Sequence, residues 1–215
     1  DWLSNIVTTV ALVAAIYLWA QMYTSKLVTR EEKNRLLGFI PMFISGVLFF
    51  GIFQQQFTVM TIYSDVRLDR HMFGWEIPPS LVQSINPIFI VIFSAVFATM
   101  WTKLGDRQWS TPVKFGVANI VIGISLFFFL PFSGAEANST PMFVIVFILF
   151  LFTMAELLLS PVGNALATKV APVAFPSRMM AVWMMAVAMG TSLAGSLASF
   201  CLLYTSPSPR DATLS

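Results

Sequence analysis

Charge is scarce in this chain, and so are the residues that most often perform chemistry. Only 10% of its 215 residues are Asp, Glu, Lys or Arg, while 57% are hydrophobic and the mean hydropathy is +0.80. That balance lies outside the range of soluble domains. A single Cys excludes both a disulfide framework and a thiolate metal site. The one histidine, His71, falls in a polar gap and cannot form a metal or catalytic cluster alone. A formal charge of +2 is too small to point to nucleic acid as a partner. No initiator Met or basic leader precedes Asp1-Trp2, which predicts that the chain begins inside a longer protein.

What the sequence does have is long apolar runs. Leu3–Tyr23, Leu37–Tyr63, Ser80–Trp101, Phe115–Phe132 and Met142–Val170 each meet the length of about 17–25 residues needed to cross a bilayer. A sixth, Met179–Phe200, is equally apolar. The runs are apolar nearly all round, whereas buried helices of a soluble domain carry amphipathic stripes. The expectation is an all-α, polytopic membrane protein in a lipid bilayer. Loop charges orient it: nine Lys or Arg lie in the gaps after the first, third and fifth runs, and only Arg67 and Arg70 in the others. The basic gaps, holding among others Lys26, Arg30, Lys33, Arg35, Lys169 and Arg178, are placed on the cytoplasmic side.

Within the runs, one residue stands apart. Glu156 is the only Asp, Glu, Lys or Arg deep inside an apolar run. Placing a lone carboxylate in hydrocarbon costs at least about 2.5 kcal/mol, so such residues face a cavity, a partner or a substrate. On a helix, Thr153, Glu156, Ser160, Gly163 and Asn164 share an arc of about 100°. Run two carries Gln54, Gln55 and Gln56 at membrane depth, where at least one amide must point into the bundle and find a partner. Asn86-Pro87 frees backbone carbonyls and suits a binding site or a plain kink. Ala186, Gly190, Ala194 and Ala198 form a ridge for close helix packing. Trp183, near the start of its helix, reads as an interface anchor or a cavity wall. Ser-Pro elements and the Arg210-Asp211 pair cannot continue a spanning helix. Cys201–Asp211 also reads as the translation of a transposase adapter used in short-read libraries, which predicts that residues 201–215 are not native.

Taken together, SINPIFIVIF followed by WTKLGDRQWSTPVKF (Ser84 to Phe115), ELLLSPVGNALATKVAP (Glu156–Pro172) and RMMAVWMMAVAMGTSLAG (Arg178–Gly195) resemble the proton-dependent oligopeptide transporter family (POT/PTR) of the major facilitator superfamily. The resemblance covers roughly Asn5–Phe200. It implies that residues 37–200 form the C-terminal lobe, family helices seven to eleven. Residues 1–36 would form a helix between lobes and a basic cytoplasmic linker. By the same resemblance, Glu156 faces a peptide's amino terminus, Asn86 and Gln54 its backbone, and Trp183 a side pocket, with Ser160 on the same stripe. Asp65 stands where members place acidic partners for the extracellular gate. Many members carry a titratable Glu where this chain has Gln54, and an amide cannot take up a proton. Coupling would then reside in the N-terminal lobe, the missing partner of this one.

The implied activity is proton-coupled uptake of di- and tripeptides across a bacterial cytoplasmic membrane, with the proton as coupling ion and no other cofactor. The alternatives are a major-facilitator carrier of another solute (drug, sugar, nitrate or amino acid) and a non-transporting structural membrane protein. An intramembrane enzyme would need a nucleophile–base pair or metal cluster at depth, which the chain lacks.

Overall fold

In the computed structural model, residues 2–66, 68, 71–72, 75–128, 131 and 140–205 are described. Among the described residues the regular structure is helical apart from one antiparallel pair of two-residue strands, β1 (His71–Met72) with β2 (Trp75–Glu76), and an isolated bridge between Leu68 and Thr140. Five helical segments are long and apolar enough to cross a membrane: Trp2–Thr24, Arg30–Phe57, Leu81–Arg107, Met142–Val170 and Pro176–Leu197. A sixth, Thr111–Phe127, is shorter, and its 17 residues lie at the lower limit for a span.

The elements begin and end for local reasons. Helix α1 (Trp2–Thr24) is followed by a short turn, and α2 (Arg30–Phe53) starts earlier than the apolar run predicts. Thr29 and Glu32 form a capping box there. The Glu32 backbone N–H reaches Thr29 Oγ1 at 3.3 Å, and the Thr29 N–H reaches Glu32 Oε2 at 2.8 Å. Thus Arg30, Lys33 and Arg35 belong to the first turns of α2, not to a linker reaching residue 36. The carboxylate's other oxygen accepts from the Val173 N–H, in the turn between the last two helices, at 2.9 Å.

The run expected to form one helix over Leu37–Tyr63 is interrupted. After Phe53 the chain tightens into a 3-10 turn, Gln54–Phe57, and resumes as α3 (Val59–Val66). The amides account for part of this: Gln55 turns back to the Ala194 carbonyl at 3.1 Å and its own carbonyl accepts from the Thr58 N–H. Run three is divided likewise, into α4 (Pro79–Gln83) and α5 (Ile85–Leu104), so Pro87 sits in the first turn of α5 where its missing N–H costs nothing. Helices α6 (Thr111–Phe127), α7 (Met142–Val170) and α8 (Pro176–Thr205) complete the chain. Among the described residues, helix α8 continues through Cys201–Thr205.

Packing centres on Trp183, which is 1% exposed. Its ring meets Phe39 and Phe50 of α2 and Phe115 of α6 edge-on, at centroid distances of 6.3, 6.2 and 5.9 Å. Two glycines clear space for it. A Cβ on Gly46 would lie 2.8 Å from the ring, and one on Gly163 only 2.1 Å. The small-residue ridge of α8 faces α2 beside this socket. A Cβ on Gly190 would fall 2.8 Å from the Val47 carbonyl oxygen, so the two backbones touch. The opposite face of α8 carries α1 through a hydroxyl ladder. Thr8 Oγ1 donates to Ser192 Oγ at 2.7 Å, and Ser192 Oγ donates to the Ser4 carbonyl at 2.7 Å.

Gly163→Ala is expected to destabilise the lobe by about 1–3 kcal/mol, because the indole has nowhere to move. Gly116→Ala, whose new methyl would meet nothing within 4 Å, serves as control. Thermal unfolding of the detergent-solubilised full-length protein should separate the two, and equal midpoints would remove the role assigned to the glycine socket.

Candidate functional site

Asn86 is the only buried residue of α5, and it is polar. The rest of that helix packs on α7 through rings, Phe89 and Phe93 meeting Phe150 at 5.9 and 5.3 Å. These contacts set α5 against the N-terminal half of α7 and bring Asn86 to the polar stripe there. Thr153, fully buried, lies with its Oγ1 2.5 Å from Asn86 Oδ1 and 2.9 Å from the Leu149 carbonyl oxygen. One hydroxyl proton serves both acceptors.

That contact orients the amide. With Oδ1 accepting from Thr153, the amide nitrogen is the group left to face the neighbouring Glu156 carboxylate. The result is a polar relay, Thr153 to Asn86 to Glu156. Glu156 Oε2 is buried and has no hydrogen-bond partner. A buried acceptor left without a donor costs more than a bond made there gains, and a carboxylate wants charged donors most of all. The arrangement is therefore built to receive a cationic or strongly donating group.

The stripe divides beyond this point. Ser160, one turn on, is half-buried. Gly163 lies under Trp183, and Asn164 Oδ1 accepts from the Trp183 indole N–H at 3.0 Å. Trp183 is thus neither an interface anchor nor the wall of an open pocket: its ring is enclosed by α2, α6 and α7. The sequence could not show this, because the two glycines that admit the ring lie far from it in the chain. Gln54 also stands apart from the cluster, its amide donating to Thr191 Oγ1 of α8 at 3.0 Å. The side chain of Asp65 lies outside the described residues, although its backbone belongs to α3.

Two residues gain importance that sequence reasoning passed over. Thr153 was visible on the stripe, three residues from Glu156, but only its contact with Asn86 gives it a task. Gln56 is 3% exposed and its Nε2 has no hydrogen-bond partner. A run of three amides indicated that one would turn inward without indicating which. Among the described residues no group of His, Cys, Asp or Glu could hold a metal ion.

Comparison with known proteins identifies the family of the chain. The POT family model (PTR2) matches residues 1–209. A di-/tripeptide transporter of Lactococcus lactis subsp. cremoris is 40% identical over 190 residues, 85% of this chain and 38% of its own length. A crystal structure of a POT family transporter in complex with 5-aminolevulinic acid superposes with a TM-score of 0.87 at 33% identity, covering 95% of this chain and 43% of that one. Another, in complex with a thioalcohol-conjugated peptide, gives 0.86 at 33% identity, again over 95% and 43%. The chain therefore spans less than half the length of the relatives it matches. The all-helical lobe, its multiple spans and its match along nearly the whole chain lead to one conclusion: the chain belongs to the POT family of membrane transporters.

Proposed function

We propose that the full protein takes up di- and tripeptides together with protons across a bacterial cytoplasmic membrane, and that this chain supplies one lobe of it. The observation that carries the reading is the unpartnered Glu156 Oε2 at the end of the Thr153–Asn86 relay. A peptide's terminal ammonium offers three N–H donors and a positive charge, the complement of such an oxygen. The peptide relatives and the peptide-bound neighbour support the substrate class. In this reading Glu156 binds the amino terminus. Asn86 holds the carboxylate in place and offers its remaining capacity to the peptide backbone. Ser160 and Gln54 line the approach on α7 and α2, Trp183 supports the site by fixing the stripe beneath it, and Asp65 belongs to the outer gate.

Residues 37–200 act as the C-terminal lobe and α1 as the helix between lobes. The substrate sits at the midplane, where the missing N-terminal lobe closes over it, and alternating access follows from one lobe rocking against the other. The proton is the only coupling species required. Since Gln54 cannot titrate, the group that carries it belongs to the N-terminal lobe.

The test is uptake of labelled dialanine into proteoliposomes holding the full-length protein under an inward proton gradient. Loss of a charge-assisted hydrogen bond of about 2 kcal/mol predicts that Glu156→Gln lowers uptake about thirtyfold at subsaturating peptide. Thr153→Val leaves the carboxylate but frees the amide, and a loss of about 1 kcal/mol predicts about a fivefold drop. If the wild type transports neither dialanine nor tripeptides but moves another solute, the substrate assignment fails while the fold assignment stands. If a well-folded Glu156→Gln protein transports like wild type, the role given to the carboxylate fails alone.

A further inference from the structure

On the side of the lobe away from the Glu156 cluster, α1, α2 and α8 enclose a groove of about 320 Å³, lined entirely by apolar side chains. Its floor is formed by Ala15, Phe39 and Val182, all buried, and its walls by Ile16, Ile40 and Trp19. Ala15 gives the groove its depth, since a larger residue would fill it. Ala15 is nine residues from the end of α1 at Thr24, so the floor lies about 13 Å below the cytoplasmic helix end. That is acyl-chain depth in the cytoplasmic leaflet.

The mouth has a different chemistry. The Trp19 indole N–H is held by the Leu36 carbonyl at 3.3 Å, and Tyr23 stacks on Trp19 at 5.0 Å. Lys33 Nζ lies over the Tyr23 ring at 5.8 Å, and Arg178 donates to Gln21 Oε1 at 2.9 Å. Both cations thus rest on neutral partners and keep their charge available. Lys26, Arg30 and Arg35 add to them on the same cytoplasmic segment, opposed by two carboxylates, Glu31 and Glu32. Glu32 is already engaged with Thr29 and Val173. An aromatic belt at the headgroup level with a surplus of cations attracts anionic lipid.

We propose that this groove is a binding site for one anionic phospholipid of the cytoplasmic leaflet, its acyl chain against Ala15, Phe39 and Val182 and its phosphate at Lys33 and Arg178. The lipid fastens α1 to the lobe at the end that the Ser4–Ser192 ladder does not reach. This assignment is independent of the peptide reading, because none of its residues belongs to the Glu156 cluster.

Native mass spectrometry of the full-length protein in detergent, titrated with phosphatidylglycerol or phosphatidylcholine of identical chains, tests the site. One phosphatidylglycerol should be retained about thirtyfold more tightly than phosphatidylcholine, as expected for a headgroup shared by two cations. Lys33→Gln should bring phosphatidylglycerol down toward phosphatidylcholine and leave the latter unchanged. Ala15→Leu should weaken both lipids. If that variant does not fold, Ile16→Trp, at an exposed wall position, narrows the groove without entering the core. Equal retention of the two lipids by wild type overturns the headgroup assignment, and full retention by both groove variants overturns the site. Disulfide capture between Ile16→Cys and a cysteine in the N-terminal half would show that protein fills the groove instead, which also overturns it.

Discussion

The lobe depends on how a single indole is accommodated. Among helices surrounded by lipid there is no hydrophobic drive to associate, so close packing and satisfied polar groups must hold them. Trp183 meets both demands at once. Its ring fills the space that Gly46 and Gly163 leave open, and its N–H is taken by Asn164. Four helices, α2, α6, α7 and α8, are thereby fixed about one point. Gly190 continues the contact by letting α8 lie directly on the α2 backbone.

This has a consequence for the polar stripe of α7. Its C-terminal half, Gly163 and Asn164, is consumed in holding the tryptophan. Its N-terminal half, Thr153 and Glu156, turns to α5 and Asn86 instead. One helix therefore carries both the structural anchor and the Glu156 cluster, and the carboxylate is positioned by the same element that organises the core. That carboxylate stands on a packed helix beside an amide oriented by a buried hydroxyl, so its position is set by the fold itself.

Much of this was legible in the sequence, for physical reasons that can be named. The spans were visible because hydrocarbon tolerates almost no charge, and Glu156 stood out for the same reason. The stripe on α7 followed from helical period alone. The socket of Trp183 was not legible, because its surroundings come from α2, α6 and α7 and no local pattern around it reports two distant glycines. The break at Gln54–Phe57 escaped because a sequence of amides shows capacity for hydrogen bonds but not their partners, here Thr191 and the Ala194 carbonyl. The early start of α2 was hidden by charge: Arg30 to Arg35 looked like a loop, although Thr29 and Glu32 spell a capping box.

Glu32 gives the lobe an uneven stiffness. One of its oxygens closes the cap of α2 while the other holds Val173, so the start of α2 and the turn between α7 and α8 share one water-facing carboxylate. Water competes for that bond continuously, whereas no solvent reaches the indole in its glycine socket. The edge of the lobe is therefore held by a bond open to water, and its centre by buried packing. A single acidic side chain ties that edge, joining two segments far apart in the sequence.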